Sequence, residues 1–171
     1  MEPPKSEAAF LQSFDEHHAA LFRFAYRLTG SVADAEDIVQ ECFFGLLRPT
    51  CSYNPKRASL RTYLFGAIRN QSLKHRRQQK DQPEQATTPS QSPESEFLRS
   101  ELKDVVSGAL MQLPDTQREV LILAHYEQMP LAEIAEVLAL ELGAVKSRLQ
   151  RARASLKETL AAYAPTPERK R

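Results

Sequence analysis

The 171-residue sequence predicts an all-α protein of two small helical domains. Two observations carry that reading. The 11 prolines fall at positions 3, 4, 49, 55, 83, 89, 93, 114, 130, 165 and 167 and leave proline-free stretches at 5–48, 56–82, 94–113, 115–129 and 131–164. Proline breaks helix interiors, so these stretches are where helices run. Only five glycines occur, and no stretch sustains the apolar–polar alternation of a half-buried strand.

Each element follows in order. A first helix, about 7–28, places Phe10, Phe14, Leu21, Ala25 and Leu28 on one face. Gly30 suits the position just past its end. Ser31, with Asp34 three residues on, approximates a capping box with a shortened acid. A second helix, about 32–47, buries Ala35, Ile38, Val39, Cys42 and Leu46, and Pro49 stops it. Residues 49–58 form a loop, and Ser59 caps a third helix over 60–79. Residues 78–95 hold one alanine and no larger hydrophobe, the composition of a flexible linker. The expected organisation is a domain at 6–78, a linker at 79–95, a second domain at 96–163 and a disordered tail at 164–171. The second domain reads as helices at 96–112, 115–127, 131–138 and 142–162, with Pro114 and Pro130 marking helix starts.

The net charge of +1 conceals a strong pattern. Residues 1–50 are net −4, 51–80 carry 8 basic and no acidic side chains, 81–100 are net −3, 101–141 are net −6, and 142–171 are net +6. A uniformly basic coat and an acidic disordered tail are both excluded. No apolar run approaches the roughly 20 residues that span a bilayer. The first residues carry neither the cationic nor the apolar region of a signal peptide, so a cytosolic location without membrane insertion is expected. Two cysteines, Cys42 and Cys51, are too few for a disulfide scaffold. Cys42 falls in the helical apolar pattern and Cys51 in a loop.

The strongest local signal is residues 131–149. A short apolar helix is followed by a tight turn near Leu140-Glu141 and a basic helix. Ala135 is small where two helices approach closely, and Ile134, Leu138, Leu140 and Val145 form a seam. This is a helix-turn-helix, whose second helix enters a DNA major groove. Val145, Leu149, Ala152, Leu156 and Leu160 make its inward stripe. Lys146, Ser147, Gln150 and Arg151 lie on the other side, suited to base edges and phosphates, with Arg148 and Arg153 placed for phosphates.

The other positive island is the third helix and the loop before it. Leu60, Leu64, Ala67 and Ile68 make its core stripe. Arg61, Phe65, Arg69 and Arg76 follow one flank, and Tyr63, Asn70, Lys74 and Arg77 the other. Rings among cations and amides suit single-stranded or melted nucleic acid, where bases stack and cations track phosphates. Tyr63 or Phe65 could equally belong to the core. On the second helix, Asp37, Gln40, Glu41 and Phe44 share a side, an acidic face for docking a basic protein surface, or a solvated face with Phe44 partly buried. No nucleophile motif, phosphate loop, or spaced metal or cofactor site is present, so neither catalysis nor a cofactor is expected.

These motifs resemble the sigma factors of bacterial RNA polymerase, specifically the compact extracytoplasmic-function (ECF) group of the sigma-70 family. Residues 34–43 (DAEDIVQECF) are similar to region 2.2, and 60–70 (LRTYLFGAIRN) to regions 2.3 and 2.4. Residues 113–121 (LPDTQREVL) and 133–138 (EIAEVL) are similar to region 4, and 143–149 (GAVKSRL) to its recognition helix. The resemblance covers most of residues 10–160 apart from the linker. It implies that Asp37, Gln40 and Glu41, with Phe44 on the same face, meet the clamp helices of the polymerase's largest subunit. Leu121 and Leu123 would meet the flap of the second-largest subunit. Loop residues Tyr53, Asn54, Lys56 and Arg57, with Arg61, Tyr63, Asn70, Lys74 and Arg77, would open and read the minus-ten element on the non-template strand. Lys146, Ser147, Arg148, Gln150 and Arg151 would read the minus-thirty-five duplex. An anti-sigma factor is an expected partner alongside core polymerase and promoter DNA. Departures from the family pattern are Tyr63 for Trp, Lys74 for Asp, Ala144 for Thr and Ala139 for the turn Gly. Two rivals remain: a sigma-like decoy that binds an anti-sigma factor, which would not need the basic islands, and a free-standing helix-turn-helix repressor, which would dimerise on two half-sites.

Overall fold

The computed structural model describes residues 7–80 and 97–161, which are helical and contain no strand. The seven helices are α1 (Glu7–Thr29), α2 (Val32–Leu47), α3 (Leu60–Lys80), α4 (Phe97–Gln112), α5 (Asp115–His125), α6 (Leu131–Leu138) and α7 (Leu142–Ala161). Helix α3 runs one residue past its expected end at 79, into the expected linker. The rest of the expected linker and the expected tail lie outside the described residues.

The first three helices form a bundle whose local signals act as the sequence implies. Gly30 takes φ +76° and its N–H bonds to the Tyr26 carbonyl at 2.7 Å, closing α1. A side chain here would be strained in that conformation and would also press on the Met111 methyl, 3.3 Å from an ideal Cβ. Ser31 caps α2, its Oγ accepting from the Asp34 N–H. The Asp34 carboxylate faces His75 on α3 at 3.6 Å. Ser59 Oγ accepts from the Thr62 N–H at 3.1 Å and starts α3. Leu21, Phe24, Ala25 and Leu28 of α1 are buried against Ile38, Val39, Cys42 and Phe43 of α2 and Leu64, Phe65 and Ile68 of α3. Phe24 and Phe65 meet with ring centres 5.2 Å apart. Phe10 and Phe14, partly buried, cover Phe43.

In the second half, α6 and α7 make the helix-turn-helix. Ile134, Leu138 and Val145 are buried in its seam, with Leu140 packed against them. Ala139 turns the corner with φ 52° and ψ 51°, a left-handed conformation that glycine adopts freely and alanine does not. The following N–H, of Leu140, bonds to the Ala135 carbonyl at 2.9 Å. Pro114 and Pro130 occupy the N-cap positions of α5 and α6. Helix α5 is buried nearly all round: Arg118, Glu119, Val120, Leu121, Ile122 and Leu123 are all inaccessible. Its middle is interior although Arg118 and Glu119 are charged, because both are paired within the fold.

The buried side chains of both halves belong to one cluster. Helix α1 packs on α4 and α5, and α3 packs on α6. At the second junction Gly66 of α3 is close to α6, an ideal Cβ lying 3.8 Å from the Val137 carbonyl.

Candidate functional site

Three surfaces hold the candidate side chains. On α2, Asp37, Gln40 and Phe44 are exposed and Glu41 is half-exposed, while Ile38, Val39, Cys42 and Phe43 face inward. Phe44, at 50% exposed, and Leu47, at 53%, put two apolar groups beside the acidic face. Glu41 is tied to Arg48 at 2.8 Å. Burial raises the Cys42 thiol to about 12, so Cys42 is a core residue rather than a reactive one.

On α7, Val145, Leu149 and Ala152 are buried while Lys146, Ser147, Gln150 and Arg151 are exposed, with Arg148 half-buried at their side. Arg151 Nε donates to the Ser147 carbonyl at 3.3 Å. Arg153 lies on the flank, where its Nε donates to His125 Nε2 at 3.0 Å. The helix therefore presents a polar, cationic strip on a scaffold held by α5 and α6.

The third surface, α3 and the loop before it, corrects several expectations. Asn54, Lys56, Arg57, Asn70, Lys74 and Arg77 are exposed. Asn54 Oδ1 accepts from the Lys56 N–H at 2.9 Å and its carbonyl accepts from the Arg57 N–H, a tight turn that sets the loop's shape. Tyr53, however, is buried and packs on Tyr63, ring centres 5.2 Å apart. It anchors the loop instead of facing a base. Tyr63 is half-buried, its hydroxyl 3.8 Å from the Cys51 sulfur. Phe65 lies in the core with the Arg61 guanidinium over its ring at 5.5 Å.

The two flanks of α3 have different fates. Tyr63, Asn70, Lys74 and Arg77 line the outward one. Arg61, Arg69 and Arg76 line the other, and acids of the second domain occupy it. Arg61 donates to the Glu127 carbonyl at 2.8 Å and its guanidinium is 3.9 Å from Glu133. Arg69 Nε donates to Glu119 at 3.0 Å, and Arg76 pairs with Asp115 at 2.6 Å. Arg23 and Arg27 of α1 approach Glu127 at 3.7 and 3.9 Å, and Arg27 lies over the Tyr126 ring at 4.0 Å. Burial pushes the Glu119 and Glu127 carboxyls above the usual carboxylate range, and their arginines pull them part of the way back.

Leu121 and Leu123 are also corrected. Both are buried in α5, so neither presents a side chain to another protein here. Their burial follows from the unbroken apolar run Val120 to Leu123 in the middle of α5, whose exposed residues Thr116 and His125 lie at its two ends. Arg118 was legible only as part of a motif. It is buried and donates to the carbonyls of Leu110, Met111 and Leu113 at 3.0, 2.8 and 2.9 Å and to that of Leu28 at 3.3 Å. It thereby satisfies carbonyls at the end of α4 and near the end of α1, groups that a helix cannot pair internally.

A helical domain carrying exposed amides and cations, followed by a helix-turn-helix domain, is the build of a bacterial sigma factor. The model of Sigma-70 region 2 matches residues 14–82 and that of Sigma-70 region 4 matches residues 103–156. The chain belongs to the sigma-70 family. Within it the chain is an ECF sigma factor, which directs transcription initiation by RNA polymerase. It is 34% identical to the ECF RNA polymerase sigma factor SigL of Mycobacterium tuberculosis, over 91% of each chain. It is 29% identical to SigW of Bacillus subtilis, over 89% of each. Among solved structures it is similar to CnrH in complex with the cytosolic domain of CnrY, with TM-score 0.74, 28% identity and coverage of 95% of this chain and 94% of that one. It is also similar to the sigma factor RpoE of Bartonella quintana in complex with the anti-sigma factor NepR, with TM-score 0.70, 26% identity and coverage of 91% and 98%. No helix among the described residues is long and apolar enough to cross a membrane.

Proposed function

We propose that this chain reads a two-part promoter while core polymerase holds it, with residues 6–78 and 96–163 acting as separate DNA-binding units on a linker at 79–95. The observation that carries the reading is α7. Its apolar stripe is buried and its opposite side exposes Lys146, Ser147, Gln150 and Arg151 together. Such a strip in the major groove pairs cations and amides with base edges and phosphates, here of the minus-thirty-five duplex. Asn54, Lys56, Arg57, Asn70, Lys74 and Arg77, with Tyr63 at their edge, take the melted minus-ten strand. Arg61 joins them when its contacts to the second domain are released. Asp37, Gln40, Glu41 and Phe44 bind the clamp helices of the largest subunit. The chain acts by binding, beside cytosolic polymerase, and carries no catalytic group.

Two modest contacts on one tether gain from effective concentration once the enzyme fixes their spacing. An anti-sigma factor that covers these surfaces would silence the chain, in keeping with the NepR complex of its structural relative. Run-off transcription with purified core polymerase tests the reading. Promoter-dependent initiation from at least one native upstream region is expected and should fall at least tenfold for Lys146→Ala/Arg151→Ala. Absence of promoter-dependent initiation from any native upstream region would overturn it.

A further inference from the structure

The arginines of α7 are held in different ways. Arg151 Nε donates to the Ser147 carbonyl of its own helix, and Arg148 faces the Glu119 carboxyl. Arg153 is held from outside: its Nε donates at 3.0 Å to Nε2 of His125, the last residue of α5. An imidazole nitrogen accepts only when it carries no proton, so His125 holds Arg153 as a neutral ring protonated at Nδ1. Its grip orients the guanidinium without cancelling the charge, as a carboxylate in the same place would. Both side chains are exposed but stand on buried backbone. Ile122 and Leu123 just before His125 are fully buried, as is Ala152 beside Arg153, and α5 packs directly on α7. The Nη groups of Arg153 have no partner among the described residues. Arg153 comes three residues after Gln150 and seven after Lys146, so it follows them along the same side of the helix.

We infer that His125 is a positioning residue for duplex recognition: its neutral imidazole aims the Arg153 guanidinium along the edge of the α7 strip, leaving both Nη groups and the whole positive charge for a phosphate of the minus-thirty-five duplex. A guanidinium that commits Nε to the ring keeps the Nη pair, which can donate to two phosphate oxygens at once. A loose arginine gives up rotamer freedom when it binds. Arg153 has given up part of it in the free chain, so its contact forms at a smaller loss of entropy. This role rests on α7 entering the major groove as proposed above; the brace between the two side chains does not.

The test is binding of the holoenzyme, full-length chain with core polymerase, to a fluorescein-labelled promoter fragment from which the wild type initiates, measured at several salt concentrations. Arg153→Ala should weaken binding roughly tenfold and lower the slope of log affinity against log salt by about 1, the signature of one lost phosphate contact. His125→Leu should weaken binding roughly fivefold at unchanged slope, the scale of ordering one long side chain, and should add nothing to Arg153→Ala. His125→Gln keeps an acceptor near the place of Nε2 and should bind like wild type. His125→Glu also holds Arg153 but cancels its charge, so it should lower the slope as Arg153→Ala does. Additive losses in His125→Leu/Arg153→Ala, or a His125→Gln protein as weak as His125→Leu, would overturn the positioning role. In the free chain, NMR should show the Arg153 Nε proton exchanging slowly with water in wild type and His125→Gln and quickly in His125→Leu. Equally fast exchange in wild type and His125→Leu would overturn the brace. A wild type without promoter-dependent initiation would overturn the DNA role together with the sigma-factor reading, and the exchange measurement would still decide the brace.

Discussion

The two basic islands began as near equals, +8 over residues 51–80 and +6 over 142–171, and the fold treats them differently. On α7 the positive strip faces outward over a buried stripe, with Arg148 at its side facing Glu119 of its own domain. On α3 three of the island's eight cations are already paired: Arg61, Arg69 and Arg76 meet Glu127 and Glu133, Glu119, and Asp115. The acidic block at 101–141 spends four of its carboxylates on the first domain. Block charge therefore locates a contact surface but does not say whether that surface is open. Openness depends on pairings across the fold.

The largest expected effect tests what holds the two halves in register. Arg118→Ala leaves the carbonyls of Leu28, Met111 and Leu113 without the guanidinium donor, while Leu110 keeps the Leu113 N–H, and should cost about 3 kcal/mol or more of unfolding free energy, read by chemical denaturation. A change under about 1 kcal/mol would show those carbonyls to be satisfied by other means. Next comes a comparison of the islands themselves. Lys146→Ala and Arg151→Ala should each weaken duplex binding by about 1–3 kcal/mol in the holoenzyme and leave the melting temperature unchanged, because both side chains are exposed. Tyr53→Ala should do the reverse within the minus-ten loop, lowering stability by about 2–4 kcal/mol, whereas Lys56→Ala should leave stability intact and reduce only open-complex formation.

A smaller effect is expected at the turn of the helix-turn-helix. Ala139→Gly relieves a left-handed alanine and should stabilise the chain by up to about 1 kcal/mol, since the strain removed is partly offset by the added freedom of the unfolded chain. The smallest effect is pH dependence of the closed contact between the two halves. Glu119 faces Arg69 of α3, Arg148 of α7 and Asp115 of its own helix, and Glu127 faces Arg23 and Arg27 of α1 and Arg61 of α3. Burial raises both carboxyls in the closed form, so closing takes up protons. The closed share should therefore rise as pH falls from about 7 toward about 5 and decline as pH rises through the raised values. Scattering at several pH values checks the sign. A closed share that falls on acidification would mean that attraction by the arginines outweighs burial.

Much of this fold was legible in the sequence because its signals are local. Prolines bound the helices, Gly30 and Ser31 mark the corner between α1 and α2, and the stripe from Val145 to Ala152 orients α7 by spacing alone. The candidate surface on α7 was readable for the same reason. The contact between the two halves was not, because Arg69 and Glu119 lie 50 residues apart and no periodicity couples them. Tyr53 and Phe65 show a second limit: an aromatic beside cations suits a base or a core equally, and neighbours from other helices decide. Leu121 and Leu123 show a third limit: within the apolar run Val120 to Leu123 the sequence does not tell which side chains the chain's own core takes up, and here it takes up both.

The most direct test of two DNA surfaces on one chain is site-specific photocrosslinking in the complex with core polymerase and promoter DNA. A photoreactive amino acid replacing exposed Lys74 should crosslink to the non-template strand around the minus-ten element, and one replacing exposed Gln150 should crosslink to the minus-thirty-five duplex. Crosslinks from both positions to protein alone, or from both to the same promoter element, would contradict the account.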